Sequence, residues 1–446
     1  MQVRTFAGGI YLFRNKPGIL RDLPKTDSRP SSSIKTMPYP QRVVLPLHYT
    51  NGSSPMAERN LLVKVGDYLE RGTKIAEGEN TLPLYTPISG EVKALVPWLY
   101  PSGEEILSVI IESQGKIQFE KKISLNSHWS EMTFQELSEI IFQAGIADFR
   151  KIRRHQIETL LVNGIDEDYW DSSNSQLLGE KAKEIIEGTK ILLHLFGAWR
   201  ARLIIQDNKK ENIIKLKNLL RDEMNIAMVL VRPKYPQREK RLLIKSVFGK
   251  EFSVEELPEN YGISVQDIKL IFYIYEAVRN GKPLMENIIG VNGSGVTNSQ
   301  NIKVSLGTLF SEIIKFCGGW KEKPGKLIIN GLIKGQAIPA EEMPLTSNVN
   351  VISLLSAEEV EIFSAQHCLR CSRCAEACPL RLLPGELAVL IQHSRFEEAQ
   401  KKGLLECFEC GACAYVCPSK INLLHCFHYG KRTPYETHRG DAESAE

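Results

Sequence analysis

Two stretches decide the reading of this chain: Cys368-Leu369-Arg370-Cys371-Ser372-Arg373-Cys374-Ala375-Glu376-Ala377-Cys378-Pro379, and its echo Cys407-Phe408-Glu409-Cys410-Gly411-Ala412-Cys413-Ala414-Tyr415-Val416-Cys417-Pro418. Each spells C-x2-C-x2-C-x3-C-P, a spacing that holds cubane iron–sulfur clusters. In paired runs of this kind the first three thiolates wrap one cluster and the fourth reaches the other. Cluster one is therefore expected on Cys368, Cys371, Cys374 and Cys417. Cluster two is expected on Cys378, Cys407, Cys410 and Cys413. Iron in sulfide clusters is soft and takes sulfur ligands, and the proline after each fourth cysteine stops the local helix. Between the runs, residues 387–401 carry apolar positions at helical spacing, which would return the chain so that the runs face each other.

Other uses of cysteine fit less well. Structural zinc commonly takes two C-x2-C pairs across a longer loop, whereas here three close cysteines and a fourth before proline occur twice. A disulfide scaffold would not leave two thirds of its length unstapled, and no cysteine precedes Cys317. Cys317 and Cys426 stand outside the runs among apolar neighbours and are expected to be structural thiols.

The chain has 446 residues, 43% hydrophobic and 24% charged, with net charge +3. That is ordinary for several globular domains. Lys and Arg are spread along the chain with no basic block interleaved with aromatics, so no nucleic-acid role is expected. Ten cysteines point to a reducing compartment. No leader-type apolar core opens the chain. The most apolar window, 191–205, is broken by His194, Arg200 and Arg202 and is too short to span a bilayer. Membrane association would have to come through other chains.

Outward from the cysteine runs, residues 42–115 read as a β domain with strands near 43–47, 61–65, 73–76, 90–96 and 106–111. Its pattern resembles a lipoyl/biotinyl-type barrel sandwich. A carrier would need a lysine at a hairpin tip, and 77–86 has none, so a structural barrel is expected. Residues 133–250 read as α/β. Thr133 and Glu136 form a capping box. Strands are expected at 159–162, 190–195, 201–206 and 226–231. Helices are expected at 176–187 and at 209–221, the latter with Ile213, Ile214, Leu216, Leu219 and Leu220 facing the core. Residues 251–350 are mixed, with a helix at 265–279, strands at 287–291, 302–304 and 326–330, and a glycine turn at Asn292-Gly293-Ser294-Gly295 that lacks a phosphate-loop pattern. Residues 1–41 read as an extended arm that starts with a Thr5-Phe6-Ala7-Gly8-Gly9-Ile10 strand and turn. Residues 357–432 hold the cysteine runs, and 433–446 form a polar tail.

His367 to Cys378-Pro379 and Glu406 to Pro418-Ser419-Lys420, with their flanks, resemble the RnfC component of the Rnf electron-transport complex. The similarity extends through Thr5-Phe6-Ala7-Gly8-Gly9-Ile10, the barrel, Ala144-Gly145-Ile146, Asn163-Gly164, Asp207-Asn208-Lys209, Tyr235-Pro236-Gln237 and Gly281-Lys282-Pro283-Leu284. The resemblance implies a multidomain α/β and β fold. Its parts are a barrel sandwich, a complex I flavoprotein-like α/β domain, a β-grasp (SLBB-like) domain and a C-terminal helical ferredoxin-type domain with two [4Fe–4S] clusters. It implies a redox subunit that relays single electrons between ferredoxin or a similar protein and other subunits of a membrane complex, peripheral on its cytoplasmic face. Arg370, Arg373 and Lys420 would then stand beside the clusters to meet an acidic ferredoxin. An electron carrier for a soluble reductase and a non-redox scaffold stapled by clusters are the competing classes.

One departure is large. The family's glycine-rich flavin loop should follow Ala144-Gly145-Ile146. Here the chain reads Ala147-Asp148-Phe149-Arg150-Lys151-Ile152-Arg153-Arg154. The family's acidic stretch after Asn163-Gly164 is Ile165-Asp166-Glu167-Asp168-Tyr169-Trp170, and a glycine after Tyr235-Pro236-Gln237 is Arg238. Neither FMN binding nor direct NADH oxidation is expected.

Overall fold

A computed structural model describes residues 4–6, 10–12, 33–47, 60–101, 103–115, 128–152, 156–168, 170–360 and 363–433. The chain divides into two compact units, one of residues 1–17 and 21–361 and one of residues 18–20 and 362–446.

The first unit holds the barrel. One sheet runs Arg42–Pro46, Glu105–Glu112, Gly90–Leu99, Tyr68–Leu69, and a second holds Asn60–Leu61, Lys74–Gly78 and Thr81–Tyr85. Period-two alternation sends Val43, Leu45, Val109 and Ile111 inward with Ile75, Ile88 and Val92. The strand Thr81–Tyr85 escapes the sequence reading because Pro83 sits in its middle, and proline is confined to sheet edges and bulges. Among the described residues it pairs only with Lys74–Gly78, through shifted registers. Lys74 is in a strand, not at a tip, and its ammonium is held 2.8 Å from both Glu77 and Gln143. No lipoyl or biotinyl adduct is expected at Lys64 or Lys74 by intact-mass spectrometry, and alanine at either should leave the cluster content unchanged.

The α/β part is a six-stranded sheet in the order Arg4–Phe6, Ile10–Leu12, Ile226–Val231, Arg200–Gln206, Thr159–Asn163, Ile263–Asp267, parallel from the second strand onward. Both faces are covered, so its strands read as nearly continuous apolar runs. Leu160, Val162 and Leu203 face the helices Ala182–Phe196 and Ile268–Asn280, while Leu161, Ile204 and Val229 face Lys240–Phe248. The capping box at Thr133 and Glu136 opens the helix Phe134–Gln143 as expected.

Three expectations are corrected here. Residues 190–195 are helix, part of Ala182–Phe196, rather than strand. Ile191, Leu192, Leu193, Leu195 and Phe196 are all buried, and so short and nearly continuous an apolar run has no period to separate helix from strand. Ile214 is 63% exposed, and of Lys210–Leu219 only Leu216 is buried. Residues 263–267 are strand, and the helix starts at Ile268 because Asp267 caps it by accepting from the Lys269 N–H. The α/β sheet thus runs past residue 250, and its last helix ends at Asn280.

The third part is a sheet in the order Gln336–Ile338, Pro324–Ile329, Val351–Ser356, Glu286–Asn292, Gln300–Ser305, Ile34–Thr36, packed on the helix Phe310–Phe316. The expected arm thus supplies edge strands to two sheets. The glycine turn is structural: at Gly293 (φ 111°) a Cβ would lie 2.0 Å from the Leu354 carbonyl oxygen. Cys317 is fully buried, with its sulfur 3.2 Å from the Gln300 amide.

The second unit is helical: Arg373–Ala377, Pro384–Gln392, Phe396–Lys401, Ala412–Tyr415 and Leu423–Arg432 surround a core of Leu387, Leu390, Ile391, Leu404, Leu423 and Phe427. The helix expected over 387–401 is two, broken where Ser394 turns left-handed (φ 56°). The expected polar tail lies outside the described residues beyond 433. Among the described residues no helix is long and apolar enough to cross a membrane.

Candidate iron–sulfur centre and the sheet edge

The two cysteine runs share one backbone script. The second residue after the first cysteine is left-handed in both (Arg370, φ 53°; Glu409, φ 58°). So are the residue after the second cysteine (Ser372, 61°; Gly411, 76°) and the third after the last (Arg381, 58°; Lys420, 52°). Non-glycine residues enter that region rarely and at a cost. Recurrence at matching positions means the turn is required: such turns direct successive N–H groups into a nest that favours negative charge. The Glu409 N–H lies 3.4 Å from the Cys407 sulfur, and the Leu382 N–H 3.3 Å from that of Cys378. The spacing of the cysteines announces the ligands but not these turns, which the sequence signals only through the repeat itself.

Cys368, Cys371, Cys374 and Cys417 line one cavity of about 510 Å³, with Leu369, Leu383 and Val389 at its rim. Cys378, Cys407, Cys410 and Cys413 form the other group. Burial pushes the Cys410 and Cys413 thiols up to about 12, and the neighbouring thiolates of this group add to it. Cys407 and Cys378 are raised by burial too, and Cys407 also feels the charge of Cys378. Four thiols, two buried and two half-buried, that resist ionising together suit a cationic iron core, which removes their protons outright on binding. Among the described residues no three His, Cys, Asp or Glu side chains close on a single ion; the cysteines ring a volume instead. Cys426 is half-buried in the helical core, with its thiol 3.8 Å from the Ala388 carbonyl oxygen.

Beside Cys407 stands a charged chain that local spacing does not reveal. Lys431, on Leu423–Arg432, donates to the Cys407 carbonyl and lies 2.8 Å from Glu409, whose other oxygen is 2.6 Å from His428. An ammonium there favours the more negative, reduced form of an adjacent cluster. Lys431→Ala is expected to make the cluster beside Cys407 harder to reduce, with Lys431→Arg restoring it, as read by an EPR-monitored redox titration.

The flavin landmarks of the sheet are committed to other partners. Gly145 (φ 74°) faces the barrel, where a Cβ would lie 2.6 Å from the Pro83 carbonyl oxygen. Arg150 pairs with Asp148 at 2.9 Å and stacks over Phe142. Open α/β sheets bind ligands at the carboxyl ends of their strands. Here that edge is spanned by Arg238, which lies 2.9 Å from Glu167, 2.5 Å from Asp267 and 2.6 Å from the Ile165 carbonyl oxygen. Lys334 adds a 2.6 Å pair to Glu167, and Lys209 a 2.9 Å pair to Asp166. Burial alone would raise Glu167, but Arg238 and Lys334 hold it below the ordinary glutamate range. A cavity of about 410 Å³ adjoins, lined by Arg238, Asp267 and Lys269 together with barrel and β-grasp residues. Among the described residues there is no glycine cradle for a flavin phosphate; Arg238, Lys334, Lys209 and Arg150 are paired with carboxylates, and Lys269 is hydrogen-bonded to Asn350. These residues do not fit FMN.

Three family models match: the Nuo51 FMN-binding domain over residues 143–276, the RnfC barrel sandwich hybrid domain over 5–116, and the 4Fe-4S dicluster domain over 361–418. The C component of the ion-translocating oxidoreductase complex of Rhodobacter capsulatus is 31% identical over 413 residues, covering 89% of this chain and 79% of that protein. The chain belongs to the RnfC family. The C component of the proton-translocating ferredoxin:NAD(+) oxidoreductase complex of Clostridium ljungdahlii is 27% identical, covering 90% of this chain and 87% of its own length. Its counterpart in the ion-translocating oxidoreductase complex of Serratia proteamaculans is 32% identical over 84% of this chain, and the chain spans about half (54%) of that relative. The barrel, the flavoprotein-like sheet and the dicluster unit of an RnfC protein are all present, and the dicluster match covers both cysteine runs, so the chain carries [4Fe–4S] chemistry. The fold of the flavin domain is kept.

Proposed function

We propose that this chain is the electron-transfer subunit of an Rnf-type complex, relaying single electrons between a soluble ferredoxin-type protein and partner subunits. It sits peripherally on the cytoplasmic face of the membrane and is held there by those partners. The ligands are Cys368, Cys371, Cys374 and Cys417 for one cluster, and Cys378, Cys407, Cys410 and Cys413 for the other. The observation that carries this reading is the repeated left-handed script around two cysteine runs inside one small helical unit. It is supported by the cavity that the first four cysteines share. Each cluster supplies a one-electron centre when bound. The chain's own residues supply the thiolates, N–H groups aimed at sulfur, and the Lys431 charge, the means by which proteins tune such centres. No general acid, base or nucleophile is required.

The test is iron and flavin content measured together on anaerobically purified protein. About eight iron atoms per chain are expected for two cubanes, with no stoichiometric flavin. Iron well below that sinks the dicluster reading. Full iron with one FMN per chain would return an NADH-linked flavin step to the mechanism and overturn the account of the sheet edge.

A further inference from the structure

The cavity of about 410 Å³ beside Arg238 has an amphipathic wall. Leu45, Leu82 and Leu84 of the barrel, with Leu284 and Leu306, supply its apolar part. Of the three charged residues on the wall, Arg238 and Asp267 pair with each other at 2.5 Å. Lys269 is the third. It is 4% exposed and forms no ion pair among the described residues. Its ammonium makes two long contacts, both 3.4 Å, to the backbone and side-chain oxygens of Asn350. An ammonium carries three donors, so one N–H has no acceptor among the described residues.

The setting makes that charge costly. Lys269 is the second residue of the helix Ile268–Asn280, an end whose dipole favours anions and disfavours cations. Burial pulls the ammonium below the usual lysine range. Asp171, Asp267 and Glu167 oppose this from beyond pairing distance, and Arg238 adds to it. A buried charge without a partner is expensive, and an anion beside it removes the expense.

The shortfall is a single negative charge. Glu167 is shared by Arg238 and Lys334. The Tyr273 hydroxyl donates to Asn287, whose amide is spent on the carbonyls of Thr346, Ser347 and Val349. A phosphate has more charge and more oxygens than one ammonium can satisfy. A carboxylate with an apolar body would match both the ammonium and the leucine wall, and a mostly apolar cavity with few placed polar groups is the usual form of a small-molecule site.

We propose that this cavity binds an amphipathic organic carboxylate, with its head on the Lys269 ammonium and its apolar body against Leu82, Leu84 and Leu284. The wall draws on the barrel, the α/β sheet and the β-grasp part, so an occupant ties the three together. The site stands apart from the cluster relay, and the two readings fail separately.

The experiment titrates octanoate, 1-octanol, inorganic phosphate and FMN into the full, iron-loaded chain by calorimetry, with Tm read alongside. Octanoate should bind saturably with one equivalent per chain and raise Tm, as a ligand of the folded state does. Octanol, which lacks the charge, should bind about tenfold more weakly or worse. Phosphate and FMN should not displace octanoate. Lys269→Met keeps the length of the side chain, and should weaken octanoate about tenfold or more while leaving octanol within about twofold. Lys210→Met, exposed on the same unit, should change neither. Leu84→Trp fills the apolar part of the wall and changes no charge, so it should weaken octanoate and octanol alike. That variant carries the test if Lys269→Met fails to fold. No saturable octanoate binding, octanol binding as tightly as octanoate, or binding indifferent to both variants would overturn the proposal. Displacement of octanoate by phosphate or FMN would reassign the cavity to a phosphate ligand and overturn it as well. Iron well below eight atoms per chain would count against the cluster reading alone, because octanoate binding is read without it.

Discussion

Cys371→Ala is expected to lower iron from about eight atoms per chain to four or fewer, with loss of the corresponding EPR signal after dithionite reduction. Cys371 is the middle ligand of its run and lines the cavity shared with Cys368, Cys374 and Cys417. The flanking residues Arg370 and Ser372 both hold left-handed backbone, a conformation with a local cost that is offset only while a cluster draws the sulfurs together. Because Cys378 and Cys417 each cross to the group of the other run, emptying one site also loosens the other, so the remaining cluster should be lost faster on exposure to air. Cys426→Ala is the control: its thiol points to the Ala388 carbonyl within the helical core, and full iron is expected. A Cys371→Ala chain with full iron and wild-type spectra would break the proposed ligand sets.

The parts that the sequence disclosed are those in which chemistry repeats at fixed spacing. The cysteine runs name a dicluster unit because four thiolates must reach round a cube from a short chain, and Thr133 with Glu136 names a helix start because two N–H groups need those acceptors. Apolar runs were legible only where one face was wet. The helix over 190–195 buries Ile191, Leu192, Leu193 and Leu195 almost in succession and read as a strand, and Thr81–Tyr85 was hidden by its proline. The sheet edge was legible only as a loss. Arg238 replaces an expected glycine, yet nothing in its spacing names Glu167, Asp267 or the Ile165 carbonyl, which are 71, 29 and 73 residues away (238 − 167, 267 − 238 and 238 − 165). Long-range ion pairs leave no periodic trace, so only the fold reveals what the arginine does.

Arg238→Ala should therefore strongly destabilise the first unit. Removing one partner of a buried pair leaves the other charge uncompensated, typically at about 3–5 kcal/mol. Glu167 would keep Lys334 at 2.6 Å, but Asp267, whose carboxylate also caps the helix Ile268–Asn280, would lose its guanidinium. For a unit of this size the loss corresponds to a fall in Tm of about 4–7 °C. Arg238→Lys should recover only part of it, since a lysine ammonium cannot span Glu167, Asp267 and the Ile165 carbonyl with one planar fork. The sign with pH follows from Glu167. Its folded carboxyl is held below the ordinary range, so the stabilisation is fully present above the ordinary value and is lost as pH falls through the depressed folded value. The wild-type advantage over Arg238→Ala should thus shrink on acidification, measurable as converging Tm values. Arg238→Gly decides what the arginine replaced. If the glycine alone separated this sheet from a flavin site, FMN fluorescence would be quenched on titration into the variant. No quenching is expected, because Gly145 would still face Pro83 and Arg150 would still be bound to Asp148. Tight FMN uptake by Arg238→Gly would show a flavin site held shut by one side chain, in place of an edge rebuilt as an ion-paired joint.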